Sequence, residues 1–433
     1  MEKIDLLLSP RWIVPIRPRN LFLEDHSIAV QNGKILSILP TADALAKFSP
    51  ATHKKLPRHV MMPGLVNAHT HSPMTLYRGL ADDLKLMDWL QNHIWPAEGE
   101  LTCADSIRAG MHLACADMIR GGTTCFNDMY FFPNESALAV IDSGLRACLG
   151  HTIMNVPTGW AQDENEYIYK AREAHQSRPQ NDLITFSIAP HAPYTNSDRS
   201  LKMSLELAHE FDAIINMHIH EAKHESSLMR LNELGILCDK LVAIHMVHLS
   251  PDEIALCAEK KINIVHCPVS NLKLASGFSP IKEIIEAGIN LAIGTDGAAS
   301  NNSLDLFAET KTAAIVAKAK ADDPTVMPAF TALEMATING AKALHLQDKI
   351  GSLEPGKCAD MIAITLDDYF TQPIYNPISH LVYAVNRLQV SDVWVNGKCL
   401  LDNGELQTLD PEKIVAAVKP WHERAKKYAY LSN

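Results

Sequence analysis

At 433 residues, with 47% hydrophobic and 21% charged side chains, the chain has a globular composition that excludes extended disorder, collagen-like and coiled-coil designs. Its net charge of −11 is spread without an acidic tail or a basic block, which argues against nucleic acid as a partner and for small-molecule chemistry. The nine cysteines are odd in number with no CxxC pair, and no apolar run is long enough for a membrane helix; reduced thiols, a cytoplasmic location and no membrane partner are expected.

In chain order, the first clear signal is Ser27 to Ile35, where Asn32-Gly33 separates two β-rich runs and predicts a tight hairpin. Val393-Trp394-Val395-Asn396-Gly397-Lys398 repeats the device at the far end, so residues 1–58 and 353–405 are expected to form one small β-sandwich. Residues 406–433 are expected to add a C-terminal helix. Between them, residues 59–352 alternate short apolar runs with helical stretches, with strands ending near Asn67, Asn127, Leu149, Ala189, Met217, Ile244, Val265 and Gly294. Eight such units predict an α/β fold of the TIM-like (β/α)8 barrel type, with helices at Ser106–Arg120, Ser200–Phe211 and Ser279–Ala287 filling the intervals. A doubly wound open sheet is the alternative with the same alternation.

The chemistry-bearing residues gather at these strand ends. His69 and His71 follow the first run and, two apart in extended chain, project to one face. His218 and Glu221 end a later run, and His245 follows Leu241-Val242-Ala243-Ile244. Asp296 closes Gly294-Thr295-Asp296-Gly297, where it reads equally as a turn or cap residue, just as His245 alone reads as a core histidine. Their common placement at the carboxyl ends of strands is what points to an active-site mouth, and paired imidazoles suit a borderline metal such as zinc.

His220-Glu221-Ala222-Lys223-His224 also satisfies HExxH, the helical zinc site of metalloproteases. That reading needs residues 213–224 to be one helix, against the β-branched Ile214, Ile215 and Ile219, and leaves His69, His71 and Asp296 without a role. Serine-hydrolase, P-loop, dinucleotide and PCxxC deaminase motifs are absent.

The stretches Pro63-Gly64-Leu65-Val66-Asn67-Ala68-His69-Thr70-His71, His218-Ile219-His220-Glu221, His245-Met246-Val247-His248-Leu249 and Gly294-Thr295-Asp296-Gly297 resemble the amidohydrolase superfamily. Gly351 to Asp360 is similar to that family's return from barrel to sandwich. Within it the chain is most similar to the 5′-methylthioadenosine/S-adenosylhomocysteine deaminases, through Arg78-Gly79-Leu80-Ala81-Asp82-Asp83, Asp88-Trp89-Leu90 and Ile94-Trp95-Pro96-Ala97-Glu98.

The resemblance implies one divalent ion per chain, usually Zn2+, held by His69, His71, His218 and Asp296. It makes Asp296, His245 and Glu221 the catalytic residues: Asp296 and His245 orient an activated water toward the purine, and Glu221 moves protons. Glu98, Trp95 and His191 match substrate contacts, with Glu98 suited to a ribose diol; Arg146 is the available cation for a substrate carboxylate. The substrate class is a purine nucleoside: 5′-methylthioadenosine first, then adenosine and S-adenosylhomocysteine. Alternatives are a triazine or guanine ring hydrolase with the same metal site, or a non-catalytic scaffold. A homodimer or higher homo-oligomer is the expected assembly.

Overall fold

The computed structural model describes residues 1–223 and 228–430. Two compact units divide the chain, one comprising Met1–Val66, Met118–Cys125 and Asp305–Thr408, the other Asn67–Asp117, Phe126–Leu304 and Leu409–Asn433.

In the first unit, strands from both ends of the chain make one nine-stranded mixed sheet. Glu2–Ile13 runs parallel to Phe48–Pro63 and antiparallel to His26–Gln31. Met361–Thr365 pairs with the other edge of Phe48–Pro63, placing Ala363 opposite Met61, and Val390–Val395 continues the sheet. Leu6, Ile28, Met61, Met361 and Trp394 share one buried cluster against this sheet. Both Asn-Gly hairpins form with left-handed φ at each central residue: 51° and 75° at Asn32-Gly33, 48° and 71° at Asn396-Gly397. This is the twist-matched type I′ geometry that the sequence predicts. The two turns also touch. A Cβ on Gly33 would lie 2.8 Å from the Asn396 carbonyl oxygen, and Ala359 bridges them, its N–H donating to Gly33 and its carbonyl accepting from Gly397 N–H.

The second sheet has eight strands in strictly sequential order and forms a nearly closed TIM-like barrel of parallel strands. They are Leu65–Thr70, Thr123–Tyr130, Arg146–Ile153, Ile184–Pro190, Ile215–Ile219, Leu241–His245, Asn263–His266 and Asn290–Ile293. Nearly every residue in them is buried, as parallel strands covered on both faces require. The last strand meets the first: Asp296 N–H donates to the His69 carbonyl at 3.1 Å, and a Cβ on Gly294 would stand 2.8 Å from His69 nitrogen. Only glycine permits that approach. Buried amides tie the strands just before the histidines, with Asn67 and Thr295 exchanging hydrogen bonds at 2.8 and 3.0 Å and Asn216 donating to Asn127 at 3.0 Å.

Helices start where side chains can satisfy free N–H groups. Asp163 accepts from Asn165 and Glu166 before Glu164–Gln176, and Ser250 with Glu253 forms a capping box before Pro251–Glu259. The helix Pro411–Ala425 is capped by Asp410, and the chain beyond it braces the segment around Leu80 and His93 through hydrogen bonds from Tyr430 N–H to Leu80 O and between His93 and Tyr428 O. Among the described residues no helix is long and apolar enough to cross a membrane.

The helical HExxH reading is overturned. Residues Ile215–Ile219 are a strand, His220 has a left-handed φ of 52°, and its Nε2 lies 3.1 Å from Glu253 Oε1. His224 lies outside the described residues.

Candidate metal centre and active-site pocket

Single donor atoms of His69, His71, His218 and Asp296 all lie within 4.8 Å of one another. His69 comes from the first strand, His71 from its end, His218 from the fifth and Asp296 from just beyond the eighth, so barrel closure is what assembles them. Asp296 adopts a left-handed φ of 62°, a conformation Asp tolerates better than most residues.

Neighbours fix each donor. His71 Nδ1 lies 2.6 Å from the Met129 carbonyl, which can only accept; the imidazole donates there and keeps its Nε2 lone pair. Asp296 Oδ2 accepts from Ser270 and Ser300 hydroxyls at 2.6 and 2.9 Å, while Oδ1 faces His69 and His71 Nε2 at 3.3 and 3.4 Å. Nε2 of His218 and His69 are 3.1 Å apart. Burial lowers His69 to about 4, and burial with the neighbouring imidazoles holds His218 well below its ordinary range. Burial alone would raise Asp296, but its His69 contact and the surrounding imidazoles drive it well below the usual carboxylate value. Three imidazoles and one carboxylate, converging by one donor atom each, fit a divalent cation of zinc character.

Glu221 and His245 stand beside this cluster. His245 Nδ1 donates to Asn271 Oδ1 at 2.9 Å, leaving Nε2 to face Glu221 Oε1 at 3.8 Å. His191, just past the fourth strand, lies 4.8 Å from His218 ring to ring, and burial followed by the charges of His71 and His69 lowers it to about 3.

All of these groups except His69 line one cavity of about 250 Å³. Trp95 and Glu98 reach it from the helix Trp95–Leu101, with Trp95 37% exposed at the rim. Glu98 is oriented by Tyr130, whose hydroxyl donates to Oε1 at 2.5 Å; burial raises the carboxyl and the Tyr130 contact pulls it back. The remaining wall is largely apolar, with Leu86, Trp89, Leu90, Met154 and Val156.

Arg146 is not brought to the pocket. It begins the third strand, at the end opposite the mouth, 97% buried, with its guanidinium 3.3 Å from the Asp182 carbonyl. Sequence reasoning missed Tyr130, Asn271, Ser270 and Ser300, which hold Glu98, His245 and Asp296. Tyr130 had a usable signal, an aromatic residue closing a barrel strand.

The amidohydrolase family profile matches residues 60–400. A 5-methylthioadenosine/S-adenosylhomocysteine deaminase of Saccharophagus degradans is 44% identical over 427 residues, 96% of each chain. A 5′-deoxyadenosine deaminase of Methanosarcina acetivorans is 38% identical over 425 residues, covering 95% of this chain and 96% of its own. A crystal structure of an adenosine deaminase from Xanthomonas campestris with bound zinc superposes with a TM-score of 0.96 at 47% identity, covering 98% of this chain and 99% of that one. With a nearly closed eight-stranded barrel, a three-histidine, one-aspartate cluster at its mouth and full-length similarity to these enzymes, the chain belongs to the amidohydrolase family.

Proposed function

We propose that this protein is a metal-dependent hydrolase that deaminates the adenine ring of 5′-methylthioadenosine, giving 5′-methylthioinosine and ammonia. The observation that carries this reading is the placement of Glu221 and His245 beside the His69, His71, His218, Asp296 cluster in one largely apolar cavity. The names of the relatives point the same way: each is a deaminase of an adenosine derivative.

Zinc is the ion proposed for the cluster, where as a Lewis acid it would make hydroxide available from water near neutral pH. Glu221 takes the first proton of the attacking water and delivers it to ring nitrogen N1, which makes C6 electrophilic. His245, locked on Asn271 through Nδ1, presents Nε2 to hydrogen-bond the attacking oxygen. Asp296, held through Oδ2 by the two serines, keeps its other oxygen toward the same place. Glu221 then takes the second proton, from the hydroxyl now on C6, and delivers it to the amino group, so that the C6–N bond breaks, ammonia leaves and the oxygen of the water remains as the C6 carbonyl.

Glu98 accepts from the ribose hydroxyls, His191 donates to the nucleoside, and Trp95 covers it at the rim. The apolar wall suits a small 5′ substituent, and the described lining contains no lysine or arginine for a substrate carboxylate. Methylthioadenosine therefore ranks ahead of adenosine, and both ahead of S-adenosylhomocysteine. The test is metal content by mass spectrometry beside ammonia release from these three, guanine and melamine. About one ion per chain with methylthioadenosine turned over best supports the reading, whereas metal with turnover of melamine or guanine alone transfers the site to a different ring.

A further inference from the structure

Tyr130 occupies a position between the metal ligands and the residue assigned to the sugar. It closes the second barrel strand with its ring in the cavity wall, 6.4 Å from the His71 ring, and its hydroxyl donates to Glu98 Oε1. Thr152 from the third strand donates to the Tyr130 carbonyl at 2.8 Å, fixing the backbone that carries the ring. Glu98 arrives from a different element, the helix Trp95–Leu101, so the phenol is the link that sets a helix-borne carboxylate against a strand-borne metal cluster.

An ionised carboxylate only accepts hydrogen bonds, and rotation about its last bond is soft unless something holds one oxygen. A neutral phenol on Oε1 stops that rotation and leaves Oε2 for a second donor. It also stabilises the ionised form against the burial that favours protonation, and a protonated carboxyl would present a donor where a diol needs an acceptor.

We propose that Tyr130 is a positioning residue for sugar recognition: by holding Oε1 of Glu98 it aims the carboxylate at the vicinal diol and makes the pocket select ribonucleosides over 2′-deoxyribonucleosides. This rests on the adenine-nucleoside reading above. The discrimination follows from the cost of leaving a buried, oriented acceptor without its partner when the 2′-hydroxyl is missing.

Steady-state kinetics of zinc-loaded wild type and Tyr130→Phe on adenosine and 2′-deoxyadenosine test it. The wild type is expected to prefer adenosine in kcat/KM, and Tyr130→Phe to narrow that preference by about tenfold, the loss falling on KM for adenosine while kcat for 2′-deoxyadenosine is kept. In a Glu98→Ala background, Tyr130→Phe should change the preference no further. An unchanged preference in a Tyr130→Phe protein of wild-type circular dichroism and metal content overturns the role of Tyr130 alone. A fall in kcat for both sugars alike overturns it too, by making the residue structural. Wild type that turns over methylthioadenosine but neither adenosine nor 2′-deoxyadenosine overturns this role and keeps the nucleoside reading, whereas no turnover of any of the three overturns both.

Discussion

The backbone N–H of Ser72 donates to the buried carboxylate of Asp128 at 2.6 Å. Thr70 donates to the same oxygen at 3.0 Å, and the carbonyl of the next residue along, Met129, accepts from His71 Nδ1. Two consecutive residues of the second strand thereby hold three consecutive residues at the end of the first, and the direction of both paired imidazoles depends on that hold.

Asp128→Ala is accordingly expected to weaken divalent-ion affinity by about 10- to 100-fold, the usual cost of removing a partner that orients ligands. Asp128→Asn keeps an acceptor for Ser72 and should lose less. Competition with a chelator, run beside a thermal melt, checks this; wild-type affinity in a folded Asp128→Ala chain would remove Asp128 from the account.

Glu221→Gln should leave the metal in place and cut kcat by about 10²- to 10⁴-fold, because an amide keeps the shape of the side chain and cannot shuttle protons. Single-turnover ammonia release with metal analysis separates the two effects. Retained turnover would assign the proton transfers to another group, with His245 the nearest.

Acid should destabilise the fold through its buried neutral histidines. Burial, followed by His175 and Arg178 for one and by His245 for the other, pushes His151 and His266 from 6.5 down to about 3. Below pH about 6.5 the unfolded chain binds protons that the folded chain refuses, so stability falls as pH drops toward about 3, and above 6.5 these groups contribute no slope. His151→Phe, in a place already stacked at 5.3 Å on Phe186, should lose less stability than wild type between pH 7 and pH 5 in urea titrations. Equal losses would mean that the imidazole is not the source.

Gly33→Ala should cost about 1–3 kcal/mol, since the new Cβ meets the Asn396 carbonyl at 2.8 Å on a residue whose φ is already 75°. Urea unfolding gives the number; a change within about 0.5 kcal/mol would show that the two turns give way at little cost.

What the sequence made legible was local. Asn-Gly between β-rich runs is a complete chemical instruction for a hairpin, and both hairpins formed. The eight barrel strands were visible as apolar runs, with the Ile244 strand ending at His245 and the Met217 strand at Ile219. Helix ends shifted by a residue or two, as where Ser200–Phe211 became Asp198–Glu210, because the cap at Ser197 and not the apolar stripe set the start. The four donors were legible because they sit at the carboxyl ends of three apolar runs, His69 and His71 on one of them. Asn271 and Asp128 were not, since each acts on a partner brought near only by the barrel. Arg146 was misplaced because a residue's charge is visible in sequence while the end of the strand that it occupies is decided by where the strand begins.

The contact between the Asn32-Gly33 and Asn396-Gly397 turns, with Met61 paired to Ala363, gives the sandwich an order of assembly. Its first strands leave the ribosome long before their partners, and must wait, with one edge of Phe48–Pro63 unpaired, while the whole barrel is made. Completion of that sheet is therefore among the slowest steps available to the chain, governed by the closure of a very long loop. A chain stopped before residue 390 would carry a finished set of metal ligands and an open, sticky sheet edge.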